Sequence, residues 1–295
     1  MKKILVIFCC FLFISLAFAN VDEFVLGAQR GVLLFGRNVM PVLFPFFFVT
    51  GLLVEIGFFS GFRRFGVAVP VFTLSFLGGY PTGARMLAGI YNRGEISRTQ
   101  AIQISTFTST CSPIFIIATV GACFYKSTSM GIFIFVCHSV ASVINGLLYY
   151  WVKFKENDVP VTNSKSGMLS KQCDVSGAIS NSLYSAVQNI LATGGLIIMF
   201  FIFVTQIQVI FDLSPALNII LGGIFELTNG INLASVVAPS SVVIPCAIVS
   251  FGGLAVAMQG FLFLRDFRMP FWFYMLYKTT HTIIAVLLCA VLLIV

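Results

Sequence analysis

The sequence predicts an all-α polytopic membrane protein: an N-terminal helix followed by two inverted repeats, each carrying a broken or re-entrant helix element. Three observations predict it. Of 295 residues, 59% are hydrophobic and only 9% charged, with a mean hydropathy of +1.03, whereas an average soluble domain is about 25% charged. Several stretches of about 20 residues carry one charge or none, enough to cross roughly 30 Å of hydrocarbon at about 1.5 Å per residue. The basic residues and two glycine-rich interruptions then sort these stretches into matching halves.

Residues 1–20 hold Lys2 and Lys3, an apolar run from Ile4 to Phe18 and the small-x-small triplet Ala17-Phe18-Ala19. They read equally as a cleaved signal or as a first transmembrane helix, and either choice sends Val21 outward. Further apolar segments run over 39–60, 66–90, 101–125, 129–151, 187–211, 214–235, 238–264 and 271–295. None alternates with period 2, so all are expected as helices rather than barrel strands. Residues 21–151 form the first membrane repeat and 178–295 the second. Between them 152–177 is a polar cytoplasmic linker with Pro160, Ser164, Ser166 and Ser170 and too few apolar residues for a core. Past it, Val175, Ile179, Leu183, Val187 and Ile190 recur at near-helical spacing opposite Asn181, Ser182 and Gln188, which reads as a packing stripe leading into the next span.

Two segments cannot be ordinary spans. The first is interrupted by Gly78-Gly79-Tyr80-Pro81-Thr82-Gly83-Ala84-Arg85 and the second by Gly222-Gly223-Ile224-Phe225-Glu226-Leu227-Thr228-Asn229-Gly230. Glycine and proline weaken a continuous helix, and a charge at that depth is expensive in lipid. If both segments dip in and return, Lys2, Lys3, Arg63, Arg64, Arg93, Arg98, Lys153, Lys155, Lys165, Lys171, Arg265 and Arg268 face the cytoplasm. Only Arg30, Arg37 and Lys126 then lie outside, the bias that cytoplasmic loops should show. If every segment crosses, the bias disappears. A shift of 144 residues also lays Gly51-Leu52-Leu53 on Gly195-Leu196-Ile197 and Gly78-Gly79 on Gly222-Gly223. The copies start on opposite sides, and inverted repeats with interrupted segments at matching positions point to a secondary transporter.

The net charge of +7 reads as loop charge that sets topology, so no nucleic-acid partner is expected. Eight cysteines include no C-x-x-C pair, which argues against a disulfide framework and a thiolate metal site. There is no nucleotide-binding glycine loop, zinc-protease or nucleophile-elbow motif, so the chain is expected not to be an enzyme and to need no cofactor or metal.

Polar groups at membrane depth are the candidate chemistry. Around the first break Tyr80, Thr82 and Arg85 sit among glycines, where unwound backbone could offer N–H groups to an anion. Around the second, Glu226, Thr228 and Asn229 place a carboxylate that could bind a coupling proton or sodium ion. Each break is followed by a polar interruption in the next span, Ser109-Thr110-Cys111-Ser112-Pro113 and Ser250-Phe251-Gly252-Gly253, with Gln259 beyond. On the last span Tyr274, Lys278 and His281 share one face. His138, alone on its span, reads as a packing residue.

Pro41 to Phe47, Gly78 to Arg85, Ser109 to Pro113, Gly222 to Gly230 and Ser250 to Leu254 together resemble the YlbJ-like sporulation integral membrane proteins. These belong with the nucleoside-recognition, or Gate, domain proteins. The resemblance covers most of 30–290, and it departs from the family in a compact linker and in the Ser-Thr-Cys-Ser-Pro segment. It implies transport, with sporulation members linked to moving dipicolinate. Carried over by position, it implies that Gly79, Thr82, Arg85, Ser109, Ser112, Glu226, Thr228, Asn229 and Ser250 line the solute site. Lys278 would join them as a second cation for an anionic solute and His281 as an ion-coupling group. The expected function is therefore a secondary transporter of a small organic, anionic solute, dipicolinate- or nucleoside-like, in a bacterial cytoplasmic membrane. Its partners would be the lipid bilayer, the solute, a coupling proton or sodium ion and, as the sequence allows, a second copy of the chain. The alternative is a non-transporting assembly or sensor protein of the membrane.

Overall fold

The computed structural model describes residues 7, 11, 13–15, 17–62, 66–152, 175–211 and 213–294. Most of the 1–20 segment, Arg63, Arg64 and linker residues 153–174 lie outside the described residues. Every regular element among those described is helical.

Each half of the chain is built from the same series. Helix α1 (Val21–Glu55) is followed by the short α2 (Ala68–Gly78) and α3 (Thr82–Asn92), then α4 (Arg98–Thr108), α5 (Ile114–Phe124, wound as a π-helix) and α6 (Thr128–Tyr149). The second half gives α7 (Val175–Phe211), α8 (Pro215–Phe225), α9 (Leu227–Val237), α10 (Val243–Phe251), α11 (Gly253–Leu264) and α12 (Phe271–Ile294).

Helix α1 starts well before residue 39, where Asp22, Glu23, Arg30 and Arg37 make the sequence read as a loop. It runs on because Asp22, Arg30 and Arg37 are exposed while Gly27 and Gly31 face α7. A Cβ on Gly31 would come within 2.8 Å of the Ile198 Cα, so only glycine allows the two backbones to approach this closely. Midway, Phe35–Val39 relaxes into a π-turn. Helix α7 likewise begins at Val175 and absorbs the stripe beyond the linker. Val175, Ile179, Leu183 and Val187 are exposed, Ile190 is buried, and of the opposite residues Ser182 is buried while Asn181 and Gln188 are exposed, so the packed face is instead Ala178, Ser182, Ala186 and Ile190. Lipid is as apolar as leucine, so large apolar residues can face outward while small ones, alanine and serine, line the helix contact.

Helices α2, α3, α8 and α9 have 11 residues each, about 16 Å or half the hydrocarbon thickness. In the first pair the chain reverses over Gly79-Tyr80-Pro81, bringing Gly83 against Ser75. In the second it reverses at Glu226 alone, in extended backbone, and glycine again permits contact, since a Cβ on Gly222 would lie 2.9 Å from the Gly230 Cα. The pairs α4–α5 and α10–α11 do not fold back. They form two discontinuous spans, interrupted at Ser109–Pro113 and at Gly252, which takes a left-handed conformation.

Corresponding helices of the two halves pack antiparallel. On α1 and α7, Gly27 faces Ile202, Gly31 faces Ile198 and Phe35 faces Gly194. On α6 and α12, the His138 ring lies tilted against His281 at 4.7 Å and Tyr149 meets Phe273 edge to face at 5.3 Å. Basic residues gather at one end of the molecule. There the Arg98 side chain donates to the Phe267 and Arg268 carbonyls, both at 3.1 Å, and Asn92 donates to Asp266 at 2.8 Å. Leu147, Leu191, Leu217 and Val236 lie on the exterior, and among the described residues five helices are long and apolar enough to cross a bilayer.

Candidate functional site

The interruptions of both halves meet in the interior, and the same contact is made twice. In the first half Gly79, at the hairpin tip, lies against Ser112 of the discontinuous span, whose N would be 2.9 Å from a Cβ there. In the second, the Gly223 and Ile224 carbonyls lie 3.3 Å from the Cβ position of Gly253. A cavity of about 110 Å³ opens between them, its polar lining supplied by Asn38, Gly79, Ser112, Glu226, Thr228 and Gln259. Asn38 comes from the π-turn of α1. Glu226 caps α9, accepting a hydrogen bond from the Asn229 N–H at 2.8 Å, where a carboxylate also meets the positive end of the helix dipole.

Lys278 is fully buried. Its Nζ donates to the Tyr80 hydroxyl at 2.7 Å and the Ser109 carbonyl at 3.2 Å and stands 4.7 Å from the Tyr80 ring centre. Tyr80 in turn donates to the Val249 carbonyl at 3.3 Å, so this chain ties the first hairpin to the second half's discontinuous span. No ion pair joins Lys278, Arg85 and Glu226 among the described residues.

Beside them His138 sits at the interruption of α4–α5. The Cys111 N–H can only donate, so His138 Nε2, 3.1 Å away, is its acceptor and Nδ1 carries the proton, which goes to Ser250 Oγ at 3.0 Å. By the same logic His281 Nε2–H donates to the His138 carbonyl at 3.0 Å. The single histidine on α6 thus holds the broken backbone of one half against a serine of the other. Replacing His138 by phenylalanine keeps the volume but strands two buried polar partners. A loss of about 2 kcal/mol or more is expected in thermal unfolding of the purified protein.

Arg85 stands apart from these groups. Its Nη1 donates to the Phe47 carbonyl and, at 3.5 Å, to Thr50 Oγ1, and its Nη2 donates to Ser185 Oγ at 3.2 Å. Gly51 leaves room for it, since a Cβ there would lie 2.7 Å from Nη2. It lines a second cavity of about 290 Å³ with Thr50, Ser182, Ser185 and Asn189.

The structure therefore gathers Gly79, Ser112, Glu226 and Thr228 at the central cavity, with Asn229 behind Glu226. Ser109 and Lys278 meet at Tyr80, and Ser250 and His281 meet at His138. Thr82 sits in the first turn of α3 with its hydroxyl buried and unpartnered. Sequence reasoning passed over Asn38, Ser185 and the bridging role of His138. Asn38 carried no signal, because the segment around it read as a loop. His138 carried one, a lone imidazole in an otherwise apolar span, whose partners lie 27 and 112 residues away.

These features define an all-α, multi-pass membrane protein. The chain is 27% identical to the sporulation integral membrane protein YlbJ of Bacillus subtilis (strain 168), over an alignment of 311 residues that covers 89% of this chain and 76% of the relative. It is YlbJ-like. No family model matches the chain, and no solved structure matches it.

Proposed function

We propose that the chain is a secondary transporter of small organic anions that works by alternating access between its two halves. The observation that carries this reading is the central cavity. Interrupted helices from two antiparallel halves surround it, as expected where a solute binds near the midplane and the halves rock about it. The irregular backbone at Gly79–Pro81 and Ser109–Pro113 is largely paired within the protein, as irregular backbone at membrane depth must be, which leaves the side chains of Ser112, Thr228 and Gln259 to meet the solute. Lys278, bonded to Tyr80 of the cavity lining, contributes positive charge from behind that ring, and Glu226 is the group through which a proton or sodium ion couples to the solute. Dipicolinate-like solutes, which the family resemblance implies, are the first candidates, with nucleosides as the alternative class.

Reconstituted into proteoliposomes, the protein should take up pyridine-2,6-dicarboxylate or uridine with a rate that saturates and is competed by the unlabelled solute. Flux that rises linearly with concentration, or no flux of either class, would contradict the reading.

A further inference from the structure

We propose that the Arg85 cavity is a carboxylate-binding vestibule in series with the central cavity, the two being separated by a gate of Phe47 and Phe263. The inference rests on the transporter reading for its place on a path, but the vestibule stands on its own geometry. Both cavities lie along the same pair of helices. On α1, Leu43 lines the central cavity and Thr50, Gly51 and Val54 line the vestibule. On α11, Val256 and Gln259 line the first and Leu262 and Phe263 the second. Between them stands the fully buried Phe47, edge to face with Phe263 at 6.4 Å between ring centres, and the Arg85 guanidinium covers its ring at 5.1 Å.

The vestibule is built for an anion. Arg85 is buried, has no carboxylate within ion-pair distance among the described residues, and uses three of its five N–H donors. A buried charge without a counter-ion is costly unless something neutralises it, and a carboxylate can accept from the remaining donors of the planar fork. Ser182, almost fully buried, lines the same cavity with a hydroxyl that has no partner. Asn189 donates to Ser185 at 3.2 Å and so holds that hydroxyl beside Arg85. At the exposed mouth stand Glu55, Asp266 and Arg265, so the lining as a whole is neutral and the buried positive charge of the cavity is that of Arg85 at its floor. At about 290 Å³ the space suits a small dicarboxylate.

The test measures binding without transport. Thermal unfolding of the purified full chain in detergent is titrated with succinate, phthalate and pyridine-2,6-dicarboxylate, with chloride as the control. At least one dicarboxylate should raise the unfolding temperature saturably. Its apparent Kd should weaken at least tenfold in Arg85→Gln and about tenfold in Ser182→Ala, and stay unchanged in Thr279→Ala, an exposed hydroxyl on α12 that lines neither cavity. Ser182→Ala removes no hydrogen bond of the free protein, so it should fold even where Arg85→Gln does not. Equal affinity in wild type and Ser182→Ala, or no stabilisation by any of the three, would overturn the vestibule whatever uptake shows. Arg85-dependent binding without uptake would support the vestibule and remove the transporter reading instead.

Discussion

Glu226→Gln is expected to reduce gradient-driven accumulation of the solute at least tenfold while leaving exchange at equal concentrations on both sides largely intact. The variant isolates charge from structure. Glu226 does two things at once, since its carboxylate accepts from the Asn229 N–H at the start of α9 and faces the central cavity beside Thr228. A glutamine oxygen can still accept that hydrogen bond, but it cannot bind a proton or pair with sodium. Glu226→Ala removes the cap as well, which adds a stability loss of about 1 kcal/mol. Counterflow and concentrative uptake in the same proteoliposomes separate the two effects. If Glu226→Gln accumulates solute as the wild type does, Glu226 is a cap and nothing more.

Gly79→Ala should be among the most destabilising single-methyl changes in the chain, by about 3 kcal/mol or more. Gly79 has φ +71° and ψ −167°, a region open essentially to glycine alone and worth about 1–3 kcal/mol of strain to any other residue. Its new Cβ would also meet backbone, lying 2.9 Å from the Ser112 N, and backbone cannot step aside as a side chain can. The corresponding position in the second half is a built-in control. At Gly223 a Cβ meets the Ile248 side chain at 2.8 Å and the residue does not have a positive φ, so Gly223→Ala should cost distinctly less. Thermal unfolding of both variants in one detergent reads the difference, and equal losses would mean that the two tips are not held as described.

How far the sequence reaches is best seen residue by residue. The all-helical membrane class was legible because apolar length is a local property. The interruptions at Gly78–Arg85 and Gly222–Gly230 were legible because glycine, proline and a buried charge break helices wherever they stand. The course of α1 through Arg30 and Arg37 was not, because charge marks a loop only where the residue must enter lipid, and these side chains point away from the packed face. Nor was the inward aim of Ser182 and Ser185. An amphipathic stripe gives the angle between two faces but not which residues of each meet lipid, and here Ser182 is buried while Asn181 and Gln188 beside it are exposed. The separation of Arg85 from Glu226 depends on Phe47 meeting Phe263 across most of the chain, information no local pattern holds.

The central claim is that two hairpins enter the membrane from opposite sides, each without crossing. Single cysteines at Gly61 and Arg93 bracket the first hairpin, and cysteines at Ser214 and Ser240 bracket the second, all exposed. In a background free of other cysteines, each is tested with a membrane-impermeant thiol reagent from either face. Gly61 and Arg93 positions should label only from the cytoplasm, and Ser214 and Ser240 positions only from outside. Labelling of the two members of either pair from opposite faces would make that hairpin a span, dissolve the inverted arrangement around the central cavity and contradict the transporter reading built on it.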